Sequence, residues 1–411
     1  MKIWGRFKIP LFWKTFQKTK SNLPILPIKV KGKEDFALVL NWSGFYLKPQ
    51  DFMGFSKLLK ARTVQEAEHT LSLIGIPSWN YLLADVHGGI AYRAFGRIPR
   101  ILTHTWGVPT RSLKEVEEQM QDKNILTPHE MPHLVQPHRQ WIVTANQMQW
   151  PSDSILKIEG GQLASLRAFR IAEFIKKNPE LTLLDHQRIQ NDVQAVDARF
   201  LLPGMLYDLE NELSQEEKKR VKTVLEVLKA WEKEEWEAHL KSYACGVYRR
   251  WVDRILSQEK LTVGALWKRL KEKDSDLKLK PAFFSALKDL KWKLTQLLTS
   301  WEKLHVCLFP HLGGKKYRPI PPVPTPGDNH SINLALSNWN GKIYQHDLGP
   351  GFRMIVKMSD PPQVYFSLAG YNIDEKNSIL FDRWKNGELV LQKFPLQWDN
   401  IPPQELRIDQ Y

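Results

Sequence analysis

Few side chains in this sequence sit at spacings that do chemistry by themselves. The two cysteines, Cys245 and Cys307, have neither metal-ligand spacing nor an adjacent histidine. They read as buried free thiols, with a single bridge between them as the alternative. The most distinctive stretch is "NYLLADVHGGIAYRAFGRIP", residues 80–99. Here Asp85 precedes a Gly88-Gly89 turn, where glycine supplies positive φ between two strands, 81–85 and 90–95. A carboxylate there accepts hydrogen bonds from the turn, so Asp85 reads as structural, and His87 reads as a solvated turn side chain.

The surrounding elements are legible from periodicity. "IKVKGKEDFALVLNWSGFYL" (28–47) has strand character. "RTVQEAEHTLSLI" reads as a helix with Val64, Ala67, Leu71 and Ile74 on one face and Thr63 as its cap. Residues 100–140 are polar and read as a long surface excursion, and "WIVTANQMQW" reads as a short strand running into a loop. "LASLRAFRIAEFIKK" reads as a helix. "TLLDHQRIQNDVQAVDARFLLP" reads as a second, with Ile189, Val193, Val196 and Phe200 on one face. "SQEEKKRVKTVLEVLKAW" opens on the capping box Ser214 and Glu217 and carries the stripe Val221, Val224, Leu225, Leu228 and Trp231. Helices continue to about residue 304. A proline-rich linker follows at 318–327, and then "SINLAL", "FRMIVKM", "VYFSLA" and "LVLQKF" read as strands. Strands at both ends and helices between them imply an α+β layered fold whose two ends pair in one sheet system.

Composition bounds the function. The chain has 411 residues, 42% hydrophobic and 25% charged, with a net charge of +14. Such a charge favours anionic partners. Lysines and arginines run along the whole chain, however, and no zinc spacing, RNP-type strand or basic heptad accompanies them, so nucleic acid is not the expected partner. Sixteen tryptophans point to aromatic packing or a wide apolar cleft. The opening segment, residues 1–27, is basic and aromatic. Arg6, Lys8, Pro10 and Lys14 interrupt it, so it does not read as a signal peptide, which makes the cytoplasm the default location. It could touch an anionic membrane surface. No run is long and apolar enough for a transmembrane span.

Four stretches together resemble the penicillin acylase family of N-terminal-nucleophile hydrolases. They are "LLADVHGGIAYRAFGRIP", "WIVTANQ", "LRAFRIAEFIKKNPELTLLDHQRIQNDVQAVDARFLLP", and the C-terminal run "TPGDNHSINLAL … GPGFRMIVKMSD … SLAGYNIDEKNSILFDRWKNGELV". Ordered motifs in matching context carry weight that single motifs do not. The resemblance implies an incomplete αββα sandwich over residues 28–411. The chain would form most of the family's β subunit, with a helical subregion at about 160–304 and C-terminal strands at 331–396. It implies hydrolysis of small acyl amides, with no cofactor.

By the same resemblance, Asn146 matches the asparagine whose amide donates to the oxyanion, a task that suits a fixed, uncharged N–H donor. A register slip of two would put Thr144 there, and an asparagine closing a strand end is the plain structural alternative. Arg167 matches an arginine that positions nucleophile and substrate, while a pairing with Asp192 or Asp197 would give it a structural role. Asp153 lies near a calcium-ligand position of some relatives, yet one carboxylate does not make a site for a cation wanting six to eight oxygens. No metal is expected.

The family's small subunit and its Gly-Ser nucleophile segment precede the point where the match begins, so this chain is expected to lack its own nucleophile. "LSNWNG" (336–341) imitates that segment but is read as a coincidence. Asp382 and Trp384 keep family positions among drifted neighbours. Two expectations follow: half of a split amidase whose partner chain brings the serine, or a non-catalytic scaffold of the same fold. Without such a partner, exposed sheet edges predict aggregation or a partly molten state.

Overall fold

The computed structural model describes residues 48–98, 124–147, 166–291, 298–308, 322–368 and 390–392, together with 19, 23–26, 38–40, 42–46, 100, 114, 118 and 121; within 42–46 only the backbone of 43 and 46 is described. Asp153, Asp382 and Trp384 lie outside them. The chain divides into two units. One holds 1–144 with 148–162, and the other holds 145–147 with 163–411.

In the first unit, β1 (Ile25–Leu26) pairs antiparallel with β2 (Leu38–Val39). Helices α1 (Pro49–Leu58) and α2 (Val64–Leu71) follow. Thr63 caps α2, its side chain accepting from the Glu66 N–H, and Val64, Ala67, Leu71 and Ile74 are buried as their spacing predicts. The ribbon is β3 (Trp79–Ala84) against β4 (Ile90–Phe95), with β5 (His133–Val135) added to the far edge of β4. Part of the expected surface excursion is therefore core. Leu126 and Met131 pack with Tyr92 and Ala94, because β5 needs an apolar face against β4.

The second unit is built on a helical core. Its helices are α3 (Leu166–Lys177), α4 (Leu183–Gln190), α5 (Val196–Glu212), α6 (Gln215–Ala230), α7 (Ala244–Glu259), α8 (Val263–Lys271), α9 (Leu279–Asp289) and the short α10 (Trp301–Leu304). The capping box of α6 forms between Ser214 and Glu217, and its stripe of Val221, Val224, Leu225, Leu228 and Trp231 is buried. The helix expected over 182–203 is instead two helices. Residues 193–195 leave the helical ladder to pair in extended form with 236–238: Ala195 N–H donates to Trp236 O, and Ala238 N–H to Val193 O, each at 2.9 Å. Nor does α5 end at its proline. Pro203 removes one helical hydrogen bond, but Leu201, Leu202, Met205, Leu206 and Leu209 are all buried, and their packing outweighs a cost of about 3 kcal/mol.

Beyond α10 lie β6 (His305–Cys307), β7 (Val323–Pro324), β8 (Leu336–Trp339) and β9 (Tyr344–Leu348), in the sheet order β7-β6-β9-β8. A separate sheet contains β10 (Phe352–Lys357), β11 (Gln363–Leu368) and β12 (Val390–Gln392). "SINLAL" reaches strand geometry only at Leu336, while the other three expected C-terminal strands form. The part of the proline-rich run that is described, 322–327, is packed against β6, with Val323 and Thr325 buried.

The α+β class holds. Among the described residues, however, no sheet mixes strands from the two ends of the chain. Among the described strands, antiparallel pairing of strands consecutive in the chain builds each sheet, apart from the parallel pair β6 and β9; the β4–β5 pairing, Arg93 with His133, is as distant in sequence as that one.

Candidate functional site

Residues 141–144 are irregular rather than a strand, and the chain bends at Ala145-Asn146. Asn146 has φ +66°, the left-handed region that asparagine tolerates better than most residues. The bend is closed from within: Ala145 N–H donates to Gln147 Oε1 at 2.6 Å. The segment 145–147 belongs to the second unit, as does α3.

Arg167 stands in the first turn of α3. Its Nη2 donates to Asn146 Oδ1 at 2.7 Å and lies 3.3 Å from Ala145 O. Arginine has donors only, so the atom facing it must be the amide oxygen. The Asn146 Nδ2 group is thereby turned the other way. Asn146 is exposed, and among the described residues Nδ2 has no acceptor. Burial draws the half-buried Arg167 guanidinium below its usual pKa.

The carboxylates considered for Arg167 are used elsewhere. Asp192 takes Arg170 at 2.9 Å, and Asp197 takes Arg249 at 2.9 Å. One turn separates Arg170 from Arg167, and its guanidinium also stacks over the Phe174 ring at 4.3 Å. Arg170 and Asp192 went unnoticed in the sequence as a pair. The spacing of two arginines on one helical turn was visible, but which carboxylate each would meet depends on the break at 191–195.

Asp85 is a hub in the first unit. Its Oδ1 accepts from His87 N at 2.9 Å and Gly89 N at 2.8 Å, and its Oδ2 accepts from Val64 N at 3.0 Å at the start of α2. Hydrogen bonds from Gly89 and Val64 hold its carboxyl below the ordinary range. Gly88 carries the positive φ, +84°, while Gly89 is required for space, since a Cβ there would run into the Asp85 carboxylate. Ser337 lies in β8, buried, its N–H held by Asn329 Oδ1 at 2.8 Å. Both cysteines are free thiols, Cys245 buried and Cys307 half-buried; burial pushes Cys307 up to about 11 and Cys245 well above its ordinary value. No group of three or more metal-ligating side chains occurs among the described residues. No described helix is long and apolar enough to cross a membrane.

The fold is similar to that of a solved enzyme. The thermostable penicillin G acylase from Alcaligenes faecalis superposes with a TM-score of 0.59 at 14% identity, over 92% of this chain and 75% of that one. The sequence pattern of the penicillin amidase family matches residues 16–401, and the chain belongs to that family. No curated protein sequence matches the chain. At family level it is an N-terminal-nucleophile, amidase-type hydrolase relative.

Proposed function

We propose that Asn146 and Arg167 form the oxyanion-binding wall of an amide-hydrolysing site for small acyl amides, and that a second chain brings the serine nucleophile. The observation that carries this reading is the 2.7 Å bond from Arg167 Nη2 to Asn146 Oδ1. It fixes the amide so that Nδ2 is presented outward at no cost when charge develops on the substrate oxygen. In the proposed reaction the serine hydroxyl attacks the amide carbon while its own α-amine, with a pKa near ~8, takes the proton. The carbonyl oxygen becomes anionic and accepts from Nδ2. Collapse of the tetrahedral intermediate expels the amine, which recovers that proton, and water then releases the acid.

Ser337, the serine in a junction-like context, is buried within β8 with its N–H engaged, so it is not placed to act as the terminal nucleophile.

The test is hydrolysis of a chromogenic phenylacetyl anilide by the chain co-expressed with a nucleophile-bearing subunit. Asn146→Ala should lower kcat by about 10²- to 10³-fold, the usual cost of one oxyanion donor. Full activity in that variant would remove Asn146 from the chemistry. Absence of hydrolysis with any such subunit would favour the non-catalytic scaffold.

A further inference from the structure

Basic residues run along the whole chain, but the excess does not. Residues 1–62 hold thirteen Lys and Arg against three Asp and Glu, a net +10 of the chain's +14. The described part of that stretch includes α1, whose two faces differ in an unusual way. Asp51, Gly54, Phe55 and Leu58 recur at helical spacing on the inward side, with Asp51 and Gly54 buried. The outward side carries Phe52, Met53 and, just past the helix, Leu59, which are 56%, 56% and 88% exposed. Lys57 and Lys60 are interleaved with them and exposed, as is Arg62.

Upstream, Trp42 and Phe45 are 50% and 39% exposed, their rings edge to face at 5.6 Å. Within residues 42–62 the sole carboxylate is Asp51, which is buried and accepts from the Lys48 N–H. The result is an apolar and cationic stretch whose own acid is buried; the exposed Glu66 of α2 borders it, its carboxylate accepting from the Arg62 N–H at 2.7 Å.

We propose that this face of α1 docks on an anionic lipid surface. A solvated helix face has no use for three large apolar side chains, and a purely ionic contact with a polyanion would leave them in water. A bilayer with acidic headgroups meets both demands. Lysine ammonium groups reach the phosphates while their stems and the Phe52, Met53 and Leu59 side chains enter the boundary of the acyl region. Aromatic residues such as Trp42 suit the same depth. This surface lies in the first unit and the Asn146–Arg167 pair in the second, so failure of either reading leaves the other standing.

Vesicle co-sedimentation of the full chain tests the proposal. Binding is expected to phosphatidylcholine vesicles containing about one-third phosphatidylglycerol, with release near ~0.5 M salt and no binding to pure phosphatidylcholine. The Phe52→Ser/Met53→Ser/Leu59→Ser variant should lose about tenfold in partitioning yet elute from heparin as the parent does. Lys57→Glu/Lys60→Glu should lower both vesicle and heparin binding. All five positions are exposed, and circular dichroism checks that each variant is folded. Vesicle binding unchanged in both variants overturns the proposal. So does a parent chain that binds heparin but no anionic vesicle, which would identify a polyanion or an acidic protein as the partner.

Discussion

Arg249 donates from Nη1 to Asp197 Oδ2 at 2.9 Å, and both side chains are sealed from water, 1% and 0% exposed. Asp328 Oδ2 lies 3.5 Å from the same nitrogen, and Asp253 Oδ1 is 3.4 Å from Nε. One guanidinium thus joins the start of α5, helix α7 and the 325–331 loop. Burial alone would raise the Asp197 carboxyl, but Arg249 and His330 outweigh it and hold it low. Burial and the nearby Asp197 charge push Asp328 up.

Removing the guanidinium strands the buried Asp197 charge, so Arg249→Met should destabilise the fold by about 3–5 kcal/mol. Asp197→Asn leaves Arg249 its longer contacts with Asp328 and Asp253 and should cost less. The double variant should lose clearly less than the two singles combined, since Asp197 is then not stranded. Urea unfolding of the three variants gives the coupling directly. Strict additivity would mean that the pair is not what joins these elements.

Asp85 supports the turn and the start of α2 at once. Asp85→Ala removes an acceptor from three backbone N–H groups, those of Val64, His87 and Gly89. The expected loss is about 1–3 kcal/mol, because water reaches part of this site. Asp85→Asn keeps one oxygen and should lose less. Amide hydrogen exchange should localise the damage to α2 and the β3–β4 turn.

Much of this was legible in advance, for a physical reason. Thr63, Ser214 and the stripe of α6 depend on spacing within one helix, and Asp85 on a turn four residues long, so neighbours in sequence determine them. The break at 191–195 was hidden because its cause, the backbone of 236–238, lies some forty residues away. Arg167 was visible as a candidate. Its contact with Asn146 follows from the position of the 145–147 bend beside α3, a tertiary fact that no local pattern encodes. Sheet order was illegible for the same reason: β6 pairs directly and in parallel with β9, although β7 and β8 lie between them in sequence.

His305 and His346 stack at 5.5 Å in the interior of the β7-β6-β9-β8 sheet, joined through Thr325 Oγ1, which lies 3.2 Å from His305 Nδ1 and 3.0 Å from His346 Nδ1. Burial lowers the His305 pKa to about 4 and also depresses His346. The folded state therefore binds protons less readily than the unfolded chain, whose histidines titrate near ~6.5. Stability from His305 is fully present above that value and is lost as pH falls toward 4. A span of this size corresponds to about 3 kcal/mol. The urea midpoint should fall between pH 7 and 4.5, and less steeply in His305→Gln. An equal slope in that variant would place the acid sensitivity elsewhere.

Arg170 and Asp192 set where α3 lies, and so where Arg167 lies. The ion pair is 2.9 Å long with both side chains largely buried, and the Asp192 carbonyl also accepts from Asn333 N–H at 2.9 Å. Asn333 Oδ1 in turn accepts from Arg353 Nη2 in β10 at 2.9 Å. The α4–α5 junction is thereby tied to the last sheet, and Arg170 ties α3 to the junction. Asp192→Ala frees Arg170 to turn to Glu173 or Glu235, which lie 3.6 and 3.9 Å from it, and lets α3 shift. A displacement near 1 Å at a positioning group can cost about 10²-fold in rate. In the co-expressed amidase, Asp192→Ala should therefore lower kcat by about tenfold or more with little change in KM, and Asp192→Asn should recover part of it. Loss of thermal stability without a change in kcat would mean that the Arg170–Asp192 pair holds the fold and leaves the Asn146–Arg167 geometry untouched.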